Sequence, residues 1–155
     1  MLAAPTIAAQ ITPEAKARHQ IDAKLAAAGW VVQDLKQLNL GASHGVAVRE
    51  YPTDTGPADY VLFIDRTPVG VIEAKPDNTI LTFVEEQTVR YAGSALKWRL
   101  QAAPLPFLFE STGQVIRSTD GRDPAPCSRE PFHFYRPAHL AELPRRPCEI
   151  HPPAA

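Results

Sequence analysis

The sequence predicts an α/β (α+β) domain in which a mixed central sheet is flanked by helices. Two observations carry that prediction. Hydrophobic patterns follow one another in the order helix, three strands, helix, two strands. The second and third strands are separated only by Asp65-Arg66-Thr67-Pro68, a turn too short for anything but an antiparallel hairpin. A chain of 155 residues that is 45% apolar suits one compact domain with a sizeable core.

The first helix starts at Thr12-Pro13-Glu14. Thr is the N-cap, Pro sits at the first helical position, and an acid lies in the first turn. Ala17, Ile21, Leu25 and Ala28 form one apolar face, and Gly29 stops the helix. Trp30-Val31-Val32 is a short apolar segment, and residues 39–45 are a loop. Strands are expected over Val46–Tyr51, Ala58–Ile64 and Val69–Lys75. Pro76-Asp77-Asn78 breaks the third strand, and a helix over about 81–97 follows. Phe107–Glu110 and Gln114–Ser118 read as further strands, 119–131 as loop, and His139–Leu143 as a short helix opened by Pro137. Ten of the sixteen prolines lie after Ala103, so the second half should be rich in loops. The expected organisation is an extension over 1–11, one domain over 12–143 and a Pro/Arg-rich disordered tail over 144–155.

Composition excludes several classes. No apolar run approaches a membrane span, and the N-terminus lacks the basic and apolar regions of a signal peptide. Cys127 and Cys148 make no disulfide framework, so a reduced, cytoplasmic protein without membrane partners is expected. No Gly-rich phosphate loop is present, so the chain has no nucleotide site of its own. The five histidines are scattered and there is no Cys-x-x-Cys, which leaves zinc unsupported. The net charge of −1 divides into an acidic first half and a basic second half, which suits either a face that meets a phosphate polymer or an ordinary solvated surface.

The hairpin carries charge where an apolar sheet should not. Asp59 opens the run Tyr60–Ile64, and Glu73 and Lys75 close the run Val69–Ile72. Residues i and i+2 of a strand share a face, so Glu73 and Lys75 lie side by side with Ala74 opposite. A hairpin turning at 65–68 brings residue 59 against 73–75. Such a triplet is costly to bury unless each group has a partner. One solution is a structural ion pair with Lys75 between the acids. The other is a shared divalent cation of the Mg²⁺ type, bound through carboxylates and water, with the Ala74 carbonyl as a further oxygen. A cation there would activate water and neutralise phosphoryl charge, and Lys75 would orient or deprotonate the nucleophile.

Pro57-Ala58-Asp59 followed by Glu73-Ala74-Lys75 resembles the Pro-Asp…(Asp/Glu)-x-Lys signature of the restriction-endonuclease-like nuclease superfamily. Gln87 and Tyr91, four apart in the Gln-x-x-x-Tyr pattern, resemble the additional motif in the nuclease domain of the R subunit of type I restriction enzymes. Phe107–Gly113 resembles the strand after the core helix of those domains. The resemblance implies a DNA endonuclease domain with Asp59, Glu73 and Lys75 catalytic. Asp59 and Glu73 would be metal ligands with the Ala74 carbonyl, and Mn²⁺ would substitute for Mg²⁺. It implies that Gln87 and Tyr91 touch DNA or support the site, and that Glu14 is an additional metal-site acid. It also implies DNA, methyltransferase and specificity subunits as partners, and an ATP-driven motor that has no motif in this chain. The proline stands one residue further from the acid than in the signature. A second expectation, of another class, is a non-catalytic module that binds DNA or partner subunits and keeps the triplet only as an ion pair.

Overall fold

The structure is a computed structural model that describes residues 12–54, 56–76, 81, 105–122 and 128–143. Helix α1 spans Pro13–Ala27, with the Thr12 hydroxyl accepting from the Ala15 N–H at 3.1 Å. It ends in a Schellman arrangement. Gly29 takes φ +91°, its N–H donates to the Ala26 carbonyl, and the Trp30 N–H reaches back to the Leu25 carbonyl. The helix buries Ala17, Ile21 and Leu25, three of the four expected face positions, and Ala28 caps it in a buried position.

Among the described residues, seven strands form one sheet in chain order. They are β1 (Val31–Asp34), β2 (Gly45–Thr53), β3 (Gly56–Ile64), β4 (Thr67–Ala74), β5 (Phe107–Ser111), β6 (Ile116–Asp120) and β7 (Ser128–Arg129). The β1–β2 and β4–β5 pairs are parallel and the others antiparallel, so the sheet is mixed as expected. Three elements lay beyond sequence reading. The apolar segment after Trp30 becomes β1, a 3-10 turn covers Leu35–Gln37, and β7 lies inside the expected 119–131 loop. Each is two to four residues long, too short for a periodicity to show. Strand β2 extends through Pro52 to Thr53, because its last residues pair with the start of β3. The β3–β4 turn is tighter than expected. Only Asp65 and Arg66 lie outside the strands, at φ +47° and +67°, the left-handed pair that suits the twist of a two-residue hairpin.

The sheet buries both faces. On one, Ile21 and Leu25 of α1 pack with Tyr60, Leu62, Ile72, Ala74, Phe109 and Ile116. Helix α2, Pro137–Glu142, closes this side with Leu140. Gly45 is what lets it do so, since a Cβ there would lie 2.1 Å from the Pro137 ring. On the other face Val46, Val48, Val61, Phe63, Val71 and Leu108 pack with Leu35, Leu38 and Leu40. The expected helix over 81–97, the N-terminal extension, the tail and both cysteines lie outside the described residues, apart from Leu81. Among the described residues no helix is long and apolar enough to cross a membrane.

Candidate active site

The β3–β4 ladder runs from Ile64–Thr67 to Tyr60–Ile72 and stops there, one step short of Asp59 and Glu73. At that step a side chain replaces the ladder. The Asp59 Oδ2 accepts the Ala74 backbone N–H at 2.9 Å. Beyond it the Lys75 N–H donates to the Ser111 carbonyl at 2.8 Å, so β4 stays attached to β5 while it leaves β3. The opening between two strands of one sheet is where the charged residues collect. A backbone N–H that has lost its strand partner needs another acceptor, and a carboxylate is a strong one.

Glu73 is only 8% exposed and lies beside Asp59. Its carboxyl is pushed up to about 8. Burial is the main cause, followed by the Asp59 charge and a hydrogen bond with it, while Lys75 pulls the other way. The three residues singled out in the sequence are therefore brought together, with Ala74 turned into the opposite core. The parallel register sets Glu110 of β5 directly beside Glu73, and Glu110 is fully buried and adds to the upward push. Sequence reading passed over Glu110 as the end of an apolar strand. The available signal was that it closes a buried run just as Glu73 does.

Arg18 of α1 was also missed. Its Nη2 donates to the Asp59 Oδ1, and its Nη1 donates to the Glu50 Oε1 at 3.0 Å. Burial works to lower the Arg18 pKa, but the Asp59 and Glu50 charges and hydrogen bonds outweigh it, so the guanidinium stays charged. Glu50 reaches it from a left-handed backbone, φ +49°, at a point where the β2–β3 register skips a pair. The Glu14 carboxylate stands 3.9 Å from Arg18 Nη2, so the structure places Glu14 against Arg18. Gln87 and Tyr91 lie outside the described residues.

A second layer fixes α1 to the sheet. The buried Tyr60 hydroxyl donates to the Asp22 Oδ1 at 2.7 Å and lies 3.2 Å from the Arg18 carbonyl. Burial and the Asp22 bond raise the Tyr60 pKa. Arg49 bridges Asp22 and Asp34, with contacts of 2.9 Å to each, and the Asp22 hydrogen bond raises its pKa further. An open cleft of about 600 Å³ runs along this layer, lined by Arg18, Lys36, Arg49, Glu50 and Asp59 among others.

The residues present fit a hard divalent cation. The donor set is oxygen only, and two acids are in contact at the cost of one keeping its proton, a repulsion that a dication relieves. Among the described residues no group of three or more His, Cys, Asp or Glu side chains forms a ready metal cage.

An α+β mixed sheet with acids and a lysine at a parted strand pair fits the nuclease domain of a restriction enzyme. The comparisons agree: residues 36–143 match the family described as the type I restriction enzyme EcoKI endonuclease subunit second domain, and the chain belongs to that family. It is also 36% identical over 91 residues to the type I restriction enzyme EcoKI endonuclease subunit of Escherichia coli (strain K12). That match covers 51% of this chain and 8% of the relative, so the chain corresponds to a small part of that subunit. No solved structure matches the chain.

Proposed function

We propose that this domain is a Mg²⁺-dependent endonuclease that hydrolyses DNA phosphodiester bonds within a type I restriction-modification system. The observation that carries the reading is the contact of Asp59 and Glu73 at the parted end of β3 and β4, with Lys75 just past the end of β4. Asp59, Glu73 and the Ala74 carbonyl would hold Mg²⁺, or Mn²⁺ in its place. Bound there, the ion would supply Lewis acidity at a phosphoryl oxygen and a water of lowered pKa.

The chain's own residues do the rest. The Ala74 N–H holds one oxygen of Asp59, which anchors that carboxylate at the parted end of β3. Glu73 sits in a site of low dielectric, where charge acts at greater strength. Lys75 orients the attacking water and offsets the negative charge that grows as the water oxygen joins phosphorus and the leaving oxygen departs with a proton. Gln87 and Tyr91 contact DNA or support the site. DNA is the substrate, and methyltransferase and specificity subunits are the proposed partners that choose where it is cut.

The test is nicking of supercoiled plasmid by the purified chain in Mg²⁺. Wild type converts plasmid to open circles and chelator stops it. Asp59→Asn, which can still accept the Ala74 N–H, folds normally and does not nick. Equal nicking by both chains removes the proposal.

A further inference from the structure

We infer that Arg18 is a positioning residue that acts as an exchangeable resident cation of the site: it holds Asp59 in the metal-free chain and passes to Glu50 and Glu14 when a divalent cation joins Asp59 and Glu73. The inference rests on the metal-dependent reading above and adds to it a residue that sets the affinity for the ion.

The partners of Asp59 are unequal. Its Oδ2 is bound by a main-chain N–H of β4, which the sheet holds in place. Its Oδ1 is bound by a side chain of α1 with several rotatable bonds. Only the second can give way when a cation arrives. Arg18 also has somewhere to go. Glu50 already accepts from its other terminal nitrogen at 3.0 Å, and Glu14, one helical turn back on the same face, stands 3.9 Å away. One guanidinium thus faces three carboxylates on three elements, α1, β2 and β3. Glu50 keeps its place in spite of a left-handed backbone that glutamate rarely adopts.

Arg18 is not a saturated clamp. Its Nε is buried with no hydrogen-bond acceptor among the described residues, and its side chain remains 36% exposed to the cleft. A purely structural arginine would be expected to fill its donors. The exposed flank gives the guanidinium room to turn without disturbing Ala17 or Ile21, which carry the packing of the helix. Charge alone sets the sign of the effect. A guanidinium and a dication that compete for one carboxylate repel each other across a few ångströms, so removing the guanidinium must favour the dication.

The experiment measures Mn²⁺ binding by calorimetry without DNA, so that no cleavage enters the result. Arg18→Met keeps the length of the stem and removes the charge. It is expected to bind Mn²⁺ roughly tenfold more tightly than wild type, with Arg18→Lys close to wild type. In parallel, the ¹⁵N guanidinium signal of Arg18 in the wild-type chain, titrated with Mg²⁺, should move and saturate at the same concentration as metal binding. The signal requires no variant, so a poorly folded Arg18→Met still leaves the inference open to refutation. Wild-type metal binding without a moving Arg18 signal, or weaker or equal Mn²⁺ binding by a folded Arg18→Met, overturns the exchange and leaves the nuclease reading standing. If neither chain binds Mn²⁺, the metal-dependent reading falls and the exchange falls with it.

Discussion

Replacing Glu73 by Gln should stabilise the metal-free protein. Glu73 is 8% exposed, sits beside Asp59 and faces Glu110 across the β4–β5 pair, and its carboxyl is raised from 4.5 to about 8. The shift is upward for an acid, so the sign is the reverse of the usual carboxylate. Below pH 4.5 the group is protonated in both states and costs nothing. As pH rises from 4.5 towards 8 the unfolded chain releases the proton while the folded chain must hold it, and stability falls by about 1.4 kcal/mol for each pH unit. At pH 7 that accumulates to about 3 kcal/mol. Gln has nearly the shape of the protonated acid, can still donate to Asp59, and carries no such cost. In chelator the E73Q chain should therefore melt higher than wild type by roughly 6–10 °C at pH 7. The two should converge as pH approaches 4.5. Mg²⁺ should raise the wild-type curve and leave the variant where it was. Calorimetric melts across this pH range decide it. Coincident melts at pH 7 in chelator, or a gap that does not vary with pH, would refute the reasoning.

Three further expectations follow from the same geometry. Lys75→Met should cut plasmid nicking by ~10²-fold or more while calorimetry still detects Mn²⁺ binding, because the positioned cation is lost and the carboxylates remain. Tyr60→Phe removes the hydroxyl shared between Asp22 and the Arg18 carbonyl, and urea unfolding should show a loss of about 1–2 kcal/mol. Gly45→Ala drives a methyl to within 2.1 Å of the Pro137 ring, and thermal melts should register a cost of about 1–3 kcal/mol as α2 is pushed off β2.

Much of this architecture was legible because long elements announce themselves. Thr12-Pro13, the spacing of Ala17, Ile21 and Leu25, and Gly29 marked α1 within a residue at each end. The hairpin turn then fixed the register closely enough to bring residue 59 against 73. The acid pair could be read for the same reason, since charge at the end of an apolar strand is a departure that a linear pattern displays. Arg18 and Glu50 could not be found that way. Arg18 is one polar residue on a helix border, and Glu50 reaches it only through a left-handed residue in mid-strand. Glu110 meets Glu73 through a parallel pairing that joins segments more than thirty residues apart. No local rule sets that register; packing on both sides of the sheet does.

The order of the strands has a kinetic consequence. Because β2, β3 and β4 follow one another through short connections, the meander that carries Asp59, Ala74 and Glu73 needs only local loops to close. The parallel β5 must be recruited across a much longer stretch of chain, and it brings Glu110 with it. The smaller, Glu110 share of the electrostatic burden on Glu73 is therefore added when the second half of the sheet docks, after the Asp59 share is already in place. Protons or a divalent cation present during refolding should ease both steps, the closing of the meander where Asp59 meets Glu73 and the later docking of β5 that adds Glu110.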